Sequence, residues 1–233
     1  MTAALVATAP KIASVRRYTI SGSDIFTVGR QPAERVTYRG TQRLRITQVD
    51  RTIRFEATAR YVRNDGAGDI PGTARFVQLL LPGDNFADRS NHDPEDLTIL
   101  NQPFSIQLDR ATLAQLYALK GSAPFALASP MAGGTLHGTL TRGSVARLAG
   151  QRVLEVTFAA TGRMHGPLPS HPSMDIDGRM QMHGTADYAL WGGWLVAFSA
   201  RLNIAGAIAD LDHAVPVKIV YHRSMRQLAG AAP

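Results

Sequence analysis

The chain has 233 residues, of which 45% are hydrophobic and only 18% charged, with a formal net charge of +7 and no cysteine. That is enough apolar side chain for a full core and too little charge for disorder, and β-rich chains of this length commonly form one domain. Without cysteine, disulfides, thiolate metal sites and thiol nucleophiles are excluded.

The positive charge is almost wholly arginine, since Lys11, Lys120 and Lys218 are the only lysines. The basic residues are scattered along the sequence rather than gathered on one helix or tail, so no nucleic-acid partner is expected. A basic globule is still drawn to anionic head groups, which makes an anionic membrane surface a candidate partner.

Residues 1–12 read as a flexible tail. Met1 to Pro10 is Ala-rich and carries Ala7-Thr8-Ala9, a small-residue cleavage pattern, though with no basic head or long apolar segment. A periplasmic or secreted location is expected, with the cytoplasm as the alternative. No apolar run approaches the roughly 20 residues that span a bilayer as a helix, so a soluble chain is expected. Residues 13–224 read as a single β-rich domain and 225–233 as a second tail.

A short strand is expected over Ser14 to Ile20, with Gly22 as a turn glycine. From Val36 to Gln48 the side chains alternate, Val36, Tyr38, Gly40, Leu44 and Ile46 on one face and Arg39, Arg43 and Arg45 on the other. After a turn at Val49-Asp50-Arg51, Thr52 to Val62 alternates again, with Ile53, Phe55, Ala57, Ala59 and Tyr61 sharing a face. Period-two alternation marks half-buried strands, and the pair reads as an antiparallel hairpin. Arg39-Gly40-Thr41 recurs as His137-Gly138-Thr139 and His183-Gly184-Thr185, each in an alternating run followed by a second: Leu154, Val156, Phe158, Ala160, Gly162 and Met164 in one case, Trp194, Val196, Phe198, Ala200, Leu202 and Ile204 in the other. In all three phrases the glycine falls on the apolar face, where a strand glycine marks a bend or the close approach of another backbone or a ligand. Further strands are expected over Ala74 to Leu81, Phe104 to Leu108 and Val215 to Arg223. One amphipathic helix, Asp109 to Lys120, has Asp109 as N-cap, Leu113, Leu116, Tyr117 and Leu119 as its apolar stripe and Gly121 as its stop. The expected architecture is mainly β: a large curved antiparallel sheet, a half-barrel or barrel of about ten strands built from hairpins, with the helix packed on it.

Candidate chemistry is sparse. The Pro82 to Gln102 loop gathers Asp84, Asp88, Arg89, His92, Asp93, Glu95 and Asp96, and a histidine beside carboxylates can exchange protons. The Pro-rich connection from His165-Gly166-Pro167 through His171-Pro172 to Asp175 and Asp177 holds imidazoles and carboxylates, yet its prolines keep the backbone extended and no metal-ligand spacing emerges. His137 and His183, with Thr135, Thr139, Gln181, Thr185 and Asp187, would form a polar cluster if their strands met. No serine stands in a nucleophile-elbow phrase and no glycine-rich loop cradles phosphate, so neither cofactor nor metal is expected.

A curved sheet with a helix against its concave side resembles, in plan alone, the bacterial periplasmic lipoprotein carriers. The leading expectation is a protein that carries or sequesters an apolar or amphipathic small molecule, lipid-like, against the inner face. Phe55, Tyr61, Phe158, Met182, Tyr188, Trp194 and Phe198 would line the site, with arginines steering an anionic head group. The alternative is a cofactor-independent isomerase, cyclase or lyase in the same cavity, with His92, Asp93, His165 or His183 as acid and base at its mouth. A third reading is an assembly subunit that presents a sheet edge to a partner.

Overall fold

The computed structural model describes residues 14–49, 52–80, 107–119, 121–129, 132–168, 171–209 and 213–229. Four strands come first: β1 (Ser14–Val28), β2 (Glu34–Val49), β3 (Thr52–Asn64) and β4 (Asp69–Leu80). The helix α1 (Arg110–Leu119) follows. Six more strands complete the chain: β5 (Ser122–Ala128), β6 (Gly133–Leu148), β7 (Gln151–Leu168), β8 (His171–Ala189), β9 (Leu195–Ala209) and β10 (Ala214–Gln227). They form one antiparallel sheet in the order β4-β3-β2-β1-β10-β9-β8-β7-β6-β5. Every neighbouring pair is consecutive in sequence except β1 with β10, which joins the two halves of the meander. Among the described residues β4 and β5 are the edge strands, and the sheet is curled but not closed. The chain forms, among these residues, the expected curved sheet of about ten strands with one helix.

A single apolar cluster draws on every strand and the helix, for example Tyr18, Val36, Phe55, Phe76, Phe125, Leu136, Val156, Met180, Leu202, Ile219 and Leu113. These positions alternate with exposed ones along each strand, so burial follows the period of two and falls on the concave face. Curling presses the concave Cβ positions of neighbouring strands together, which explains the recurring glycines. A Cβ on Gly138 would stand 2.2 Å from the Ala159 carbonyl oxygen and 2.7 Å from the Ala160 Cα. On Gly184 it would meet the Ser199 carbonyl at 2.3 Å and the Phe158 ring at 2.5 Å. Backbone approach, one of the two expectations, accounts for both.

One end of the curl is filled. Leu113 and Leu116 of α1 join the core, and Asp109 caps the helix, its Oδ1 accepting from the backbone N–H of Ala111 at 2.7 Å and of Thr112 at 3.1 Å. Gln107 ties this segment to the β8–β9 turn: its Nε2 donates to the Gly193 carbonyl and its Oε1 accepts from Leu195 N–H, both at 2.9 Å. Trp194 of that turn meets the Phe55 ring edge-on, centroids 6.3 Å apart, and the Arg110 guanidinium lies over the indole, 5.6 Å from its centroid.

Several local expectations are corrected. Gly22 lies inside β1 rather than in a turn, and β10 runs past residue 224 to Gln227 with Met225 and Gln227 buried. Residues 122–128 form an unanticipated strand: Ser-Ala-Pro-Phe-Ala-Leu-Ala alternates weakly, and its Pro124 is tolerated because β5 is an edge. Of the Pro-rich stretch from His165 to Asp177, residues 165–168 belong to the end of β7 and residues 171–177 to the start of β8, with a register irregularity at Pro167/Leu168, because extended backbone accepts proline. Of the strand expected over Phe104 to Leu108, only Gln107 and Leu108 are described, and Leu108 forms an isolated bridge. The turn residues Asp50 and Arg51, the tail at 1–12, and the Pro82 to Gln102 loop with His92 and Asp93 lie outside the described residues.

Candidate functional site

Cross-strand register assembles the concave face in rows. One row runs Ile70, Arg63, Tyr38, Gly22, Arg223, Ala200, Gly184, Phe158 and Leu140; the next runs Val36, Asp24, Tyr221, Leu202, Met182, Ala160, Gly138 and Phe125. Into this mainly apolar wall, which also carries the buried Gln42 and Gln78, the two rows bring a charged pair, Asp24 at 1% exposure and Arg223 at 2%. The Arg223 Nη1 donates to the Asp24 carboxylate, to the His222 carbonyl at 2.9 Å and to the Ser23 carbonyl at 3.3 Å. Gly22 is what lets it do so: a Cβ there would stand 3.1 Å from the Arg223 Cδ. The guanidinium passes over the glycine and lies between two phenol rings, 5.5 Å from the Tyr38 centroid and 5.2 Å from that of Tyr221.

The electrostatics follow from burial. Withdrawal from water pushes the Asp24 carboxyl above the ordinary carboxylate range, and the charge and hydrogen bonds of Arg223, with a hydrogen bond from Tyr38, only partly oppose it. Burial first, then the Asp24 charge, raises the phenols of Tyr38 and Tyr221, which therefore remain protonated donors. Arg63, directly opposite Tyr38, brings a second guanidinium to the same row at a half-buried position.

Six of the seven residues expected to line a ligand site lie on this concave face, and Trp194 packs against the same core from the β8–β9 turn. Phe158 stacks on Phe198, rings 4° apart with centroids at 6.0 Å, and both are buried, as are Phe55, Tyr188 and Trp194. Tyr61 and Met182 keep partial exposure: Tyr61 packs edge-on against Tyr38 at 6.4 Å and lies over Gly72. Register therefore joins Met182 and Phe158 to the rows of Asp24 and Arg223, and places Tyr61 and Phe198 in the row beside them.

His165 and His183 occupy exposed positions on the convex face, opposite Asp177 and Arg201 respectively, six positions apart along β8. His137 lies opposite Thr161, and His183 opposite Ala159 of the same intervening strand, so the two imidazoles are not brought together. Among the described residues no three His, Asp or Glu side chains could hold a metal ion together.

Sequence reasoning missed Asp24, Tyr38 and Arg223 as site residues. The available signal was parity: an aspartate and an arginine, each in phase with the apolar side of its strand, Asp24 with Tyr18 and Ile20, Arg223 with Ile219, Tyr221 and Met225.

No family model and no curated protein matches the chain. Among solved structures, a mutant porin of Rh. blastica aligns over 92% of this chain and 100% of its own at 8% identity, with a TM-score of 0.24. No helix of the described residues is long and apolar enough to cross a membrane.

Proposed function

We propose that the protein binds an amphipathic small molecule against the concave face of its sheet, in a carrier or sequestering role in the periplasm or outside the cell. The observation that carries this reading is the Asp24–Arg223 pair, framed by Tyr38 and Tyr221 in a wall that is mainly aromatic and aliphatic. A buried charged group is costly unless a polar partner answers it. A ligand with one polar end and an oily body matches both parts: the phenols and the half-buried Arg63 meet the head, while Met182, Tyr61 and the Phe158–Phe198 stack border the apolar portion. Each Å² of apolar surface withdrawn from water would contribute roughly 25 cal/mol. Native mass spectrometry of the purified protein, followed by denaturation and identification of released small molecules, tests the reading. A copurified amphiphile supports it; an empty protein that also takes up no added dodecanoate counts against it.

The raised carboxyl of Asp24 favours a second reading, in which the same cluster moves a proton on the bound molecule, as a cofactor-independent isomerase, cyclase or lyase would. In that case Asp24→Asn would retain ligand and lose turnover.

A further inference from the structure

The arginines that are scattered in sequence are gathered by register on the convex face. Arg17 of β1 is the direct cross-strand partner of Arg43 of β2, Arg43 of Thr58 on β3, and Thr58 of Arg75 on β4, so three guanidiniums share one row across four strands. In the adjacent row Thr41 faces Arg60. These six side chains line a depression of about 520 Å³, and among the described residues that line it none is a carboxylate. At the usual strand spacing of about 4.8 Å the row from Arg17 to Arg75 extends roughly 14 Å. Like charges directly opposite one another in a sheet destabilise it. Elsewhere on this face the conflict is relieved by carboxylates: Arg39 pairs with Asp69 at 2.7 Å, Arg54 with Glu56 at 2.7 Å and Arg163 with Asp177 at 3.1 Å. Arg17, Arg43 and Arg60 have no ion-pair partner among the described residues, and all three are exposed.

We infer that this depression is a binding site for a phosphate-bearing ligand. Guanidinium is the side chain suited to phosphate: it stays charged at every physiological pH and offers planar pairs of N–H donors that match two oxygens at once. Several of them along one row, with threonine hydroxyls between, suit a ligand with more than one phosphate or a layer of phosphate head groups, and a bound polyanion would remove the repulsion between Arg17 and Arg43. The site lies on the opposite face of the sheet from the Asp24–Arg223 cluster, and its test is independent of that cluster.

Inorganic triphosphate is titrated into the full chain by calorimetry at low salt, and in parallel the protein is sedimented with vesicles of phosphatidylglycerol and with neutral phosphatidylcholine vesicles. The variants are Arg17→Ala/Arg43→Ala, exposed and therefore folded, and Arg39→Ala, a control on the same face outside the depression. Triphosphate binding weakened at least about tenfold by the double substitution and less than about twofold by the control is the expected result, with affinity falling as salt rises. Triphosphate binding without vesicle association assigns a free phosphorylated ligand. Vesicle association that depends on phosphatidylglycerol and on Arg17 and Arg43 assigns lipid head groups. Absence of both, or binding that the double variant and the Arg39 control affect equally, overturns the inference.

Discussion

Replacing Arg223 by methionine removes the charge that answers Asp24 while keeping an unbranched side chain of similar length in place. The structure sets the size of the effect. Both partners are withdrawn from water, and the guanidinium also serves two carbonyls and lies against two phenol rings. Breaking one side of a buried pair of this kind costs about 3–5 kcal/mol, because the remaining charge is left in apolar surroundings. For a domain of this size that lowers the melting temperature by roughly 6–20 °C. The cost must also depend on pH with a definite sign. The folded-state pKa of the Asp24 carboxyl is raised by burial and rises further without Arg223. A carboxyl raised in this way contributes its stability fully below the unfolded pKa and loses it as pH climbs through the folded value. The deficit of Arg223→Met relative to wild type should therefore grow between about pH 4 and pH 7, and adding Asp24→Asn should recover most of it. Urea unfolding followed by circular dichroism at both pH values measures this. A deficit below about 1 kcal/mol, or one that shrinks as pH rises, would mean that Arg223 does not answer a buried Asp24 charge.

Gly184→Ala forces a Cβ into the Phe158 ring and the Ser199 carbonyl and should cost about 1–3 kcal/mol by overpacking, against no more than about 0.5 kcal/mol for Thr185→Ala on the exposed face, both by urea unfolding. The chain has two tryptophans, Trp194 at 5% exposure and Trp191 at 71%. Trp194→Ala should lose about 3–5 kcal/mol and leave red-shifted, readily quenched emission, while Trp191→Ala should leave stability nearly unchanged and emission blue-shifted. Asp109→Ala removes the cap of α1 and should cost about 1 kcal/mol, visible as faster amide exchange confined to that helix.

The sheet was legible because alternation is a local property: Phe55, Ala57 and Ala59 in β3, or Phe158 and Ala160 in β7, declare their face without reference to any partner strand. Helix α1 was legible for the same reason, from Asp109 through Leu113 and Leu116. Register is a different matter. That Gly22 would lie beside Arg223, some two hundred positions away, follows only from the β1–β10 pairing, and the buried polar cluster depends on it. β5 and the β7–β8 tip were obscured by prolines that end and edge strands tolerate. The arginines of the convex face looked scattered because their neighbours lie on adjacent strands, not at adjacent positions.

The most direct test of the concave-face reading is a calorimetric comparison of dodecanoate with dodecanol, ligands of equal chain length that differ in the charge of the head. Both should bind, dodecanoate about tenfold or more tightly, in keeping with the roughly 1.5–3 kcal/mol of a hydrogen bond to a charged group, and Arg63→Met should abolish the preference without abolishing binding. Equal affinity for the two heads in wild-type protein, or no binding of either, would contradict that reading.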